Sequence, residues 1–389
     1  MSRSHRFSKT AMSRNLRLPY RSTGIGLVEI MVGIVIGMLA IIVIMQVFSL
    51  SEGRRRSSIS GSDAEGNGAI MLYQLQRDIS QAGYGMSGTD LFNCATQWQP
   101  SNESTDIATP VPLAPVTINS SIIPAGDINT DTLLVMYGNS NGEPQGNPIY
   151  SQSGNIYTVQ MPTGFLVGDR VIAAPASCAS TLLLDKVTVA PVPPNDATTI
   201  TVATGSSGAT LYDLGQSPTI VAYAVRNGNL TMCDYSAYDC GNASYAQAGS
   251  AGTPSTFNPS VWVPIASNVV SLRAEYDKDT SSTMDGFADA FDQITPGSAS
   301  DTSGIAPNCG WARISAIRLV LVARSNQYEN QMDAVTTSSP VWAGTSDVPS
   351  VPIVLGTAAD QTWQHYRYKT FQTVVPIRNI AWLGVPTGC

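Results

Sequence analysis

Histidine is nearly absent from this 389-residue chain: His5 and His365 are the only two. His5 falls in a basic N-terminal stretch, so the body has one imidazole at most. That disfavours a His-rich zinc site and any nucleophile that needs a histidine base close by. The six cysteines contain no CxxC pair, which removes the common zinc and thiol-redox spacings. No P-loop and no dinucleotide-binding glycine pattern occurs, and no internal repeat is evident. Charge is scarce, at 13% of residues. The segments between apolar runs are rich in Ser, Thr, Asn, Gly and Pro, a composition that suits an extracytoplasmic, β-rich chain.

The charge that is present is unevenly spread. Residues 1–24 hold six basic residues (Arg3, Arg6, Lys9, Arg14, Arg17, Arg21) and no acid. The remainder therefore carries 21 − 6 = 15 basic against 28 acidic residues, a net of −13. An acidic body argues against nucleic acid as a partner, because phosphate neutralisation needs a basic surface. The even cysteine count allows three disulfides in an oxidising compartment. The short loop between Cys233 and Cys240 predicts that these two pair, and the partners of Cys94, Cys178, Cys309 and Cys389 stay open.

The long apolar run begins directly after the basic stretch. Ile25–Phe48 reads IGLVEIMVGIVIGMLAIIVIMQVF, with Glu29 its only charge. At 1.5 Å per residue it is long enough to cross a bilayer as a helix. The basic leader predicts a cytoplasmic N-terminus and an exported body. A lone carboxylate at Glu29 costs several kcal/mol in a bilayer unless it is paired. Hydrolysis after Gly24 would create an α-amino cation at Ile25, one helical turn from Glu29, and so give that charge a partner. Gly33 and Gly37 form a GxxxG pattern, read as the ordinary glycine content of a membrane helix.

Gly24-Ile25-Gly26-Leu27-Val28-Glu29-Ile30-Met31-Val32 resembles the class III signal of type IV prepilins and type II secretion pseudopilins. The resemblance implies that a prepilin peptidase cuts after Gly24 and that Ile25 becomes the N-methylated first residue. It also implies that Glu29 guides assembly. Ile25 stands where Phe is usual, and Gly26 where Ser or Thr is common. The segment Met71–Tyr84, with Leu75-Gln76-Arg77-Asp78-Ile79 inside it, resembles a stretch of PilW-type minor pilins, as does the closing Pro376-Ile377-Arg378-Asn379.

These resemblances imply a minor pilin, not an enzyme, that takes part in type IV pilus assembly and primes or caps the filament tip. The alternative is a J-type minor pseudopilin of type II secretion. Implied partners are other minor pilins, the major pilin, a tip adhesin, the prepilin peptidase and the inner-membrane assembly platform. The implied location is the bacterial inner membrane before assembly and the pilus afterwards.

The expected fold class is α+β and pilin-like, with a long N-terminal helix packed on an antiparallel β-rich domain. The expected divisions are a leader at 1–24, a membrane and filament-core helix at 25–50, an amphipathic half at 51–83 and a β-rich domain at 84–389. Leu72, Leu75, Ile79 and Ala82 form an apolar helical stripe. Gly61, Gly66 and Gly68 predict a kink or melted segment before it. Val270, Leu272, Ala274 and Tyr276 alternate with Ser271, Arg273 and Glu275, as in a half-buried strand. Residues 219–225 and 230–233 flank Arg226-Asn227-Gly228-Asn229, a type I′ hairpin signal. Segments 314–322 and 368–377 read as further strands, and 95–130, 190–218, 241–260 and 280–308 as polar surface loops.

Two patterns could carry chemistry. Gly138-Asn139-Ser140-Asn141-Gly142 matches GxSxG, but Pro144 and Pro148 follow where a nucleophile elbow needs a helix. Asp277, Asp279, Asp285 and Asp289 are weak calcium candidates, since Ca²⁺ takes such oxygen ligands but the EF-hand spacing fails.

Overall fold

The computed structural model describes residues 24, 26–178, 180–192, 198–329, 335–356, 360–386 and 388–389, with backbone alone at 54, 56–64 and 67. The chain divides into two compact units, Met1–Arg56 and Ser57–Cys389. In the first, the described residues from Leu27 onward belong to helix α1, Leu27–Gln81. Leu27–Gly53 is the one stretch among the described residues long and apolar enough to cross a membrane, with a mean hydropathy of 2.9 and none of its span buried. The expected melted segment around Gly61–Gly68 is not found: α1 is helical without a break from Leu27 to Gln81. Each glycine costs about 1 kcal/mol relative to alanine. Once a helix is nucleated each added residue gains a hydrogen bond, so scattered glycines do not interrupt it.

The second unit is built on two antiparallel sheets. Five strands run in the order β11-β10-β9-β2-β1: β1 Val116–Ile118, β2 Leu133–Tyr137, β9 Thr219–Arg226, β10 Asn229–Asp234 and β11 Val263–Ser267. Alternation decides the two faces of this sheet. Leu133, Val135, Tyr223 and Val225 enter the core shared with α1, while Leu134, Met136, Ala222 and Ala224 enter a second core with Trp98, Tyr212 and Trp262. The β9–β10 hairpin turns as expected at Asn227 and Gly228, both at positive φ (47° and 68°).

Four strands make the other sheet, in the order β13-β12-β14-β15: β12 Val269–Lys278, β13 Ala290–Asp292, β14 Ile314–Arg324 and β15 Tyr368–Pro376. β12 is not half-buried. A strap carrying Trp342, Val351 and Ile353 covers its second face together with Val320 and Val322 of β14. Glu275 is thereby fully buried, and it pairs with Arg318 at 2.7 Å. Short helices α2 (Pro307–Ala312) and α3 (Arg378–Ala381) precede β14 and follow β15.

Between β2 and β9 the chain forms a closed six-stranded barrel, in the order β7-β4-β3-β8-β5-β6: β3 Asn147–Ser153, β4 Ile156–Val159, β5 Arg170–Ala174, β6 Asp185–Val189, β7 Thr199–Val202 and β8 Thr210–Gly215. Tyr157, Phe165, Val171, Val187, Ile200 and Leu211 fill a core of its own. The expected loop at 190–218 thus holds two strands, β7 and β8. β7 is only four residues long and Thr-rich, and β8 carries Asp213 among its buried residues, but barrel closure pairs their backbones all the same.

Three disulfides close the body: Cys94–Cys178, Cys233–Cys240 and Cys309–Cys389. Cys233 and Cys240 have Cα atoms 5.9 Å apart.

Candidate functional site

The end of α1 is fixed to the body by one buried carboxylate. Leu75, Ile79 and Ala82 lie on one helical face and are fully buried against the first sheet. Asp78 lies on the same face and is 4% exposed. A carboxylate in that position needs partners, because an unpaired buried charge is too costly to keep. Tyr137 Oη donates to its Oδ1 at 3.1 Å and Tyr223 Oη to its Oδ2 at 2.5 Å. Arg77 Nε approaches Oδ1 at 3.5 Å from the solvent side. Burial, with Asp78 adding to it, raises the pKa of both phenols, so they remain donors. Tyr137 ends β2 and Tyr223 lies in mid-β9, so Asp78 clamps the helix to two adjacent strands.

The helix terminus is held from a second direction. Gly83, at φ 81°, turns the chain, and its N–H donates to the Met136 carbonyl at 2.9 Å. The last carbonyls of a helix have no partner within it. Here Asn379 Nδ2, in α3, donates to the Gln81 and Ala82 carbonyls, both at 3.0 Å. Gln76 Nε2 donates to Thr373 Oγ1 of β15 at 2.8 Å. About two turns further back Gly68 is buried against the Phe371 ring, and a β-carbon there would overlap that ring. The two segments that carry the PilW resemblance, 71–84 and 376–379, therefore meet in space.

Their meeting leaves a groove open to solvent. Tyr73 and Arg77 of α1, Val374 of β15, Arg378, and Trp382 beyond α3 line it, with Ser140 at its floor. Trp382 is 80% exposed. No acidic residue lines the groove, and Arg378 makes no ion pair or side-chain hydrogen bond among the described residues.

The other singled-out residues are placed as follows. Glu29 lies in the first turn of α1, exposed, with its N–H on the Gly26 carbonyl at 2.9 Å. Gly24 is exposed, whereas Ile25 and the leader before Gly24 lie outside the described residues. Ser140 and His365 are not brought together. Ser140 Oγ is buried without a partner at the groove, while His365 stacks on Tyr328 at 4.9 Å and contacts the Glu329 carbonyl.

Asp279, Asp285 and Asp289 share the loop between β12 and β13, but their oxygens face backbone N–H groups. Asp279 accepts from Ser281, Asp285 and Gly286 at 3.1, 2.7 and 2.8 Å, with Arg313 3.6 Å away. Asp289 accepts from Thr280 at 2.9 Å, and Asp277 is buried against Ser315. These carboxylates do not converge as calcium ligands would, and no group of three or more His, Cys, Asp or Glu able to hold a metal is found among the described residues.

Asp78 and Asn379 stand out in the sequence only as motif letters. Their roles depend on tyrosines and helix carbonyls far along the chain, with no local spacing to mark them.

Comparison with known families gives one match: residues 242–379, roughly a third of the chain, match the family described as type IV pilus-assembly protein W, PilW. The match supports a PilW-like assignment for that region and connects the chain with type IV pilus assembly. It includes β12, β14, β15 and Asn379. Neither the curated proteins nor the solved structures gave a match.

Proposed function

We propose that this chain is a minor pilin of the PilW type: a non-enzymatic, membrane-anchored subunit with a pilin-like fold that primes or caps a type IV pilus. The observation that carries the reading is the fastening of α1. The region that matches PilW supplies Asn379 and β15, which grip the C-terminal end of a helix whose N-terminal end is apolar and unburied. A helix fully apolar around its circumference needs lipid or other helices for company. A subunit that exchanges the first for the second has the property a filament core requires.

In this reading prepilin peptidase hydrolyses the Gly24–Ile25 amide, and the freed amine of Ile25 is methylated. Glu29 then compensates that cation, on its own chain or on a neighbour, once helices pack out of contact with water. Other minor pilins, the major pilin, a tip adhesin and the inner-membrane platform are the expected partners. The chain resides in the inner membrane before assembly and at the pilus tip afterwards.

The test is deletion of the gene and complementation with wild type or Glu29→Ala, counting pili and assaying type II secretion in the same strain. Loss of pili, restored by wild type and not by the variant, is the expected result. Unchanged pili with lost secretion would move the chain to the pseudopilins.

A further inference from the structure

Two surfaces at opposite edges of the four-stranded sheet have complementary character. One is the groove, with the cations Arg77 and Arg378 beside the exposed rings of Tyr73 and Trp382. The other is the tip of the β12–β13 hairpin. There Phe287 is 75% exposed and stands between Asp285 and Asp289, both exposed. An apolar ring held out in water is unfavourable by itself, and in most loops it would fold back. This loop prevents that. Asp279 accepts three of its backbone N–H groups, Asp285 Oδ1 accepts the Phe287 N–H at 2.9 Å, and Asp289 accepts the Thr280 N–H. The ring and its two flanking carboxylates are presented in a fixed arrangement, the pre-organisation that lowers the entropic cost of binding.

The sheet register gives their relative placement. Lys278 at the end of β12 pairs with Ile314, and Pro376 at the end of β15 pairs with Ala316. Hairpin tip and groove therefore lie at the same end of the sheet, on the outer strands β13 and β15, three strand spacings or about 14 Å apart. Two copies anchored in one membrane could join edge to edge at one height. The contact would use different surfaces on each copy, and such a contact propagates. Beyond the leader the chain as a whole has 28 acids against 15 basic residues (21 − 6), so an acidic tip meets like charge over most of the body.

We propose that the Asp285–Phe287–Asp289 tip of one copy of this chain docks into the Arg77–Arg378–Trp382 groove of a second copy. The phenylalanine ring packs against Trp382 and Tyr73, and the carboxylates meet the two guanidinium groups. The inference does not depend on the pilus reading, because it concerns copies in the membrane before any filament forms.

The experiment places the photo-crosslinker benzoylphenylalanine at position 287 of the full-length chain, in membranes of cells without pilus genes. The expected product is an adduct of twice the monomer mass, its cross-linked peptide falling within 73–84 or 374–382. Arg378→Glu should lower the yield about tenfold, the effect of losing one charge-assisted contact. Arg378→Lys, which keeps the cation, should hold the yield within about threefold of wild type. Position 378 is exposed, and an unchanged thermal melt verifies folding. Adducts to other proteins alone, adducts to another face of the chain, no adduct, or a yield within twofold of wild type in Arg378→Glu would each overturn the proposal.

Discussion

The two ends of α1 are the same secondary structure with opposite surroundings. From Leu27 to Phe48 every apolar side chain is exposed and the only acid is Glu29. Near its end, Leu75, Ile79 and Ala82 are completely buried and the acid on their face, Asp78, is held by two tyrosines. Each end thus carries one carboxylate on an apolar surface. The partner of one is found inside the body, and the proposed partner of the other is an amine freed by processing. The contrast separates what folding satisfies from what assembly must satisfy.

Variants that exchange these environments test the contrast, and their expected effects on the body decline in order. Asp78→Ala leaves the Tyr137 and Tyr223 hydroxyls buried without an acceptor, costing about 1–3 kcal/mol for each. Thermal melting should show the loss, and adding Tyr137→Phe and Tyr223→Phe should recover much of it. A melt unchanged by Asp78→Ala would break the comparison at its buried end. Gly68→Leu forces the Phe371 ring from its place on α1, an overpacking expected to cost about 1–3 kcal/mol despite leucine's better helix propensity. Its measure is the denaturant midpoint, and Phe371→Ala should relieve the clash. Asn379→Ala removes the donors to the Gln81 and Ala82 carbonyls and should cost about 1 kcal/mol. Hydrogen exchange should then quicken in the last turn of α1 while the barrel amides stay unchanged.

Glu29→Ala should leave the body's stability within about 0.5 kcal/mol of wild type, as for a surface change. Incorporation into filaments should nevertheless fall, because removing one partner of a buried pair costs about 3–5 kcal/mol where helices pack. Comparing sheared pili with the membrane fraction reads this directly. Equal incorporation would mean that the two carboxylates are not counterparts.

How far the sequence reveals this arrangement depends on the range of the contacts. The stripe at Leu75, Ile79 and Ala82, the Asn227–Gly228 turn and the strands β12, β14 and β15 follow from local periodicity and turn chemistry. The barrel does not, because strands such as Thr199–Val202 are short and Thr-rich and gain their pairing only through closure. The strap that buries Glu275 returns from about 70 residues downstream, so alternation alone suggests a solvated face. Gly68 suggests a weak point in the helix until Phe371, three hundred residues later, makes it a close approach. At the candidate site, Arg77, Asp78 and Asn379 are visible as motif residues. The groove that Arg77 and Asn379 share with Trp382 exists only after α3 has docked against the helix end.

Processing of the N-terminus comes first, because both the amine that Glu29 would serve and the helix's entry into a filament depend on it. Mass spectrometry of the N-terminal peptide from the chain isolated with pili is the most direct measurement. The expected chain begins at Ile25 with a methylated amine, and its leader stays uncut when Gly24 is replaced by alanine. A chain recovered from pili with residues 1–24 still attached would contradict it.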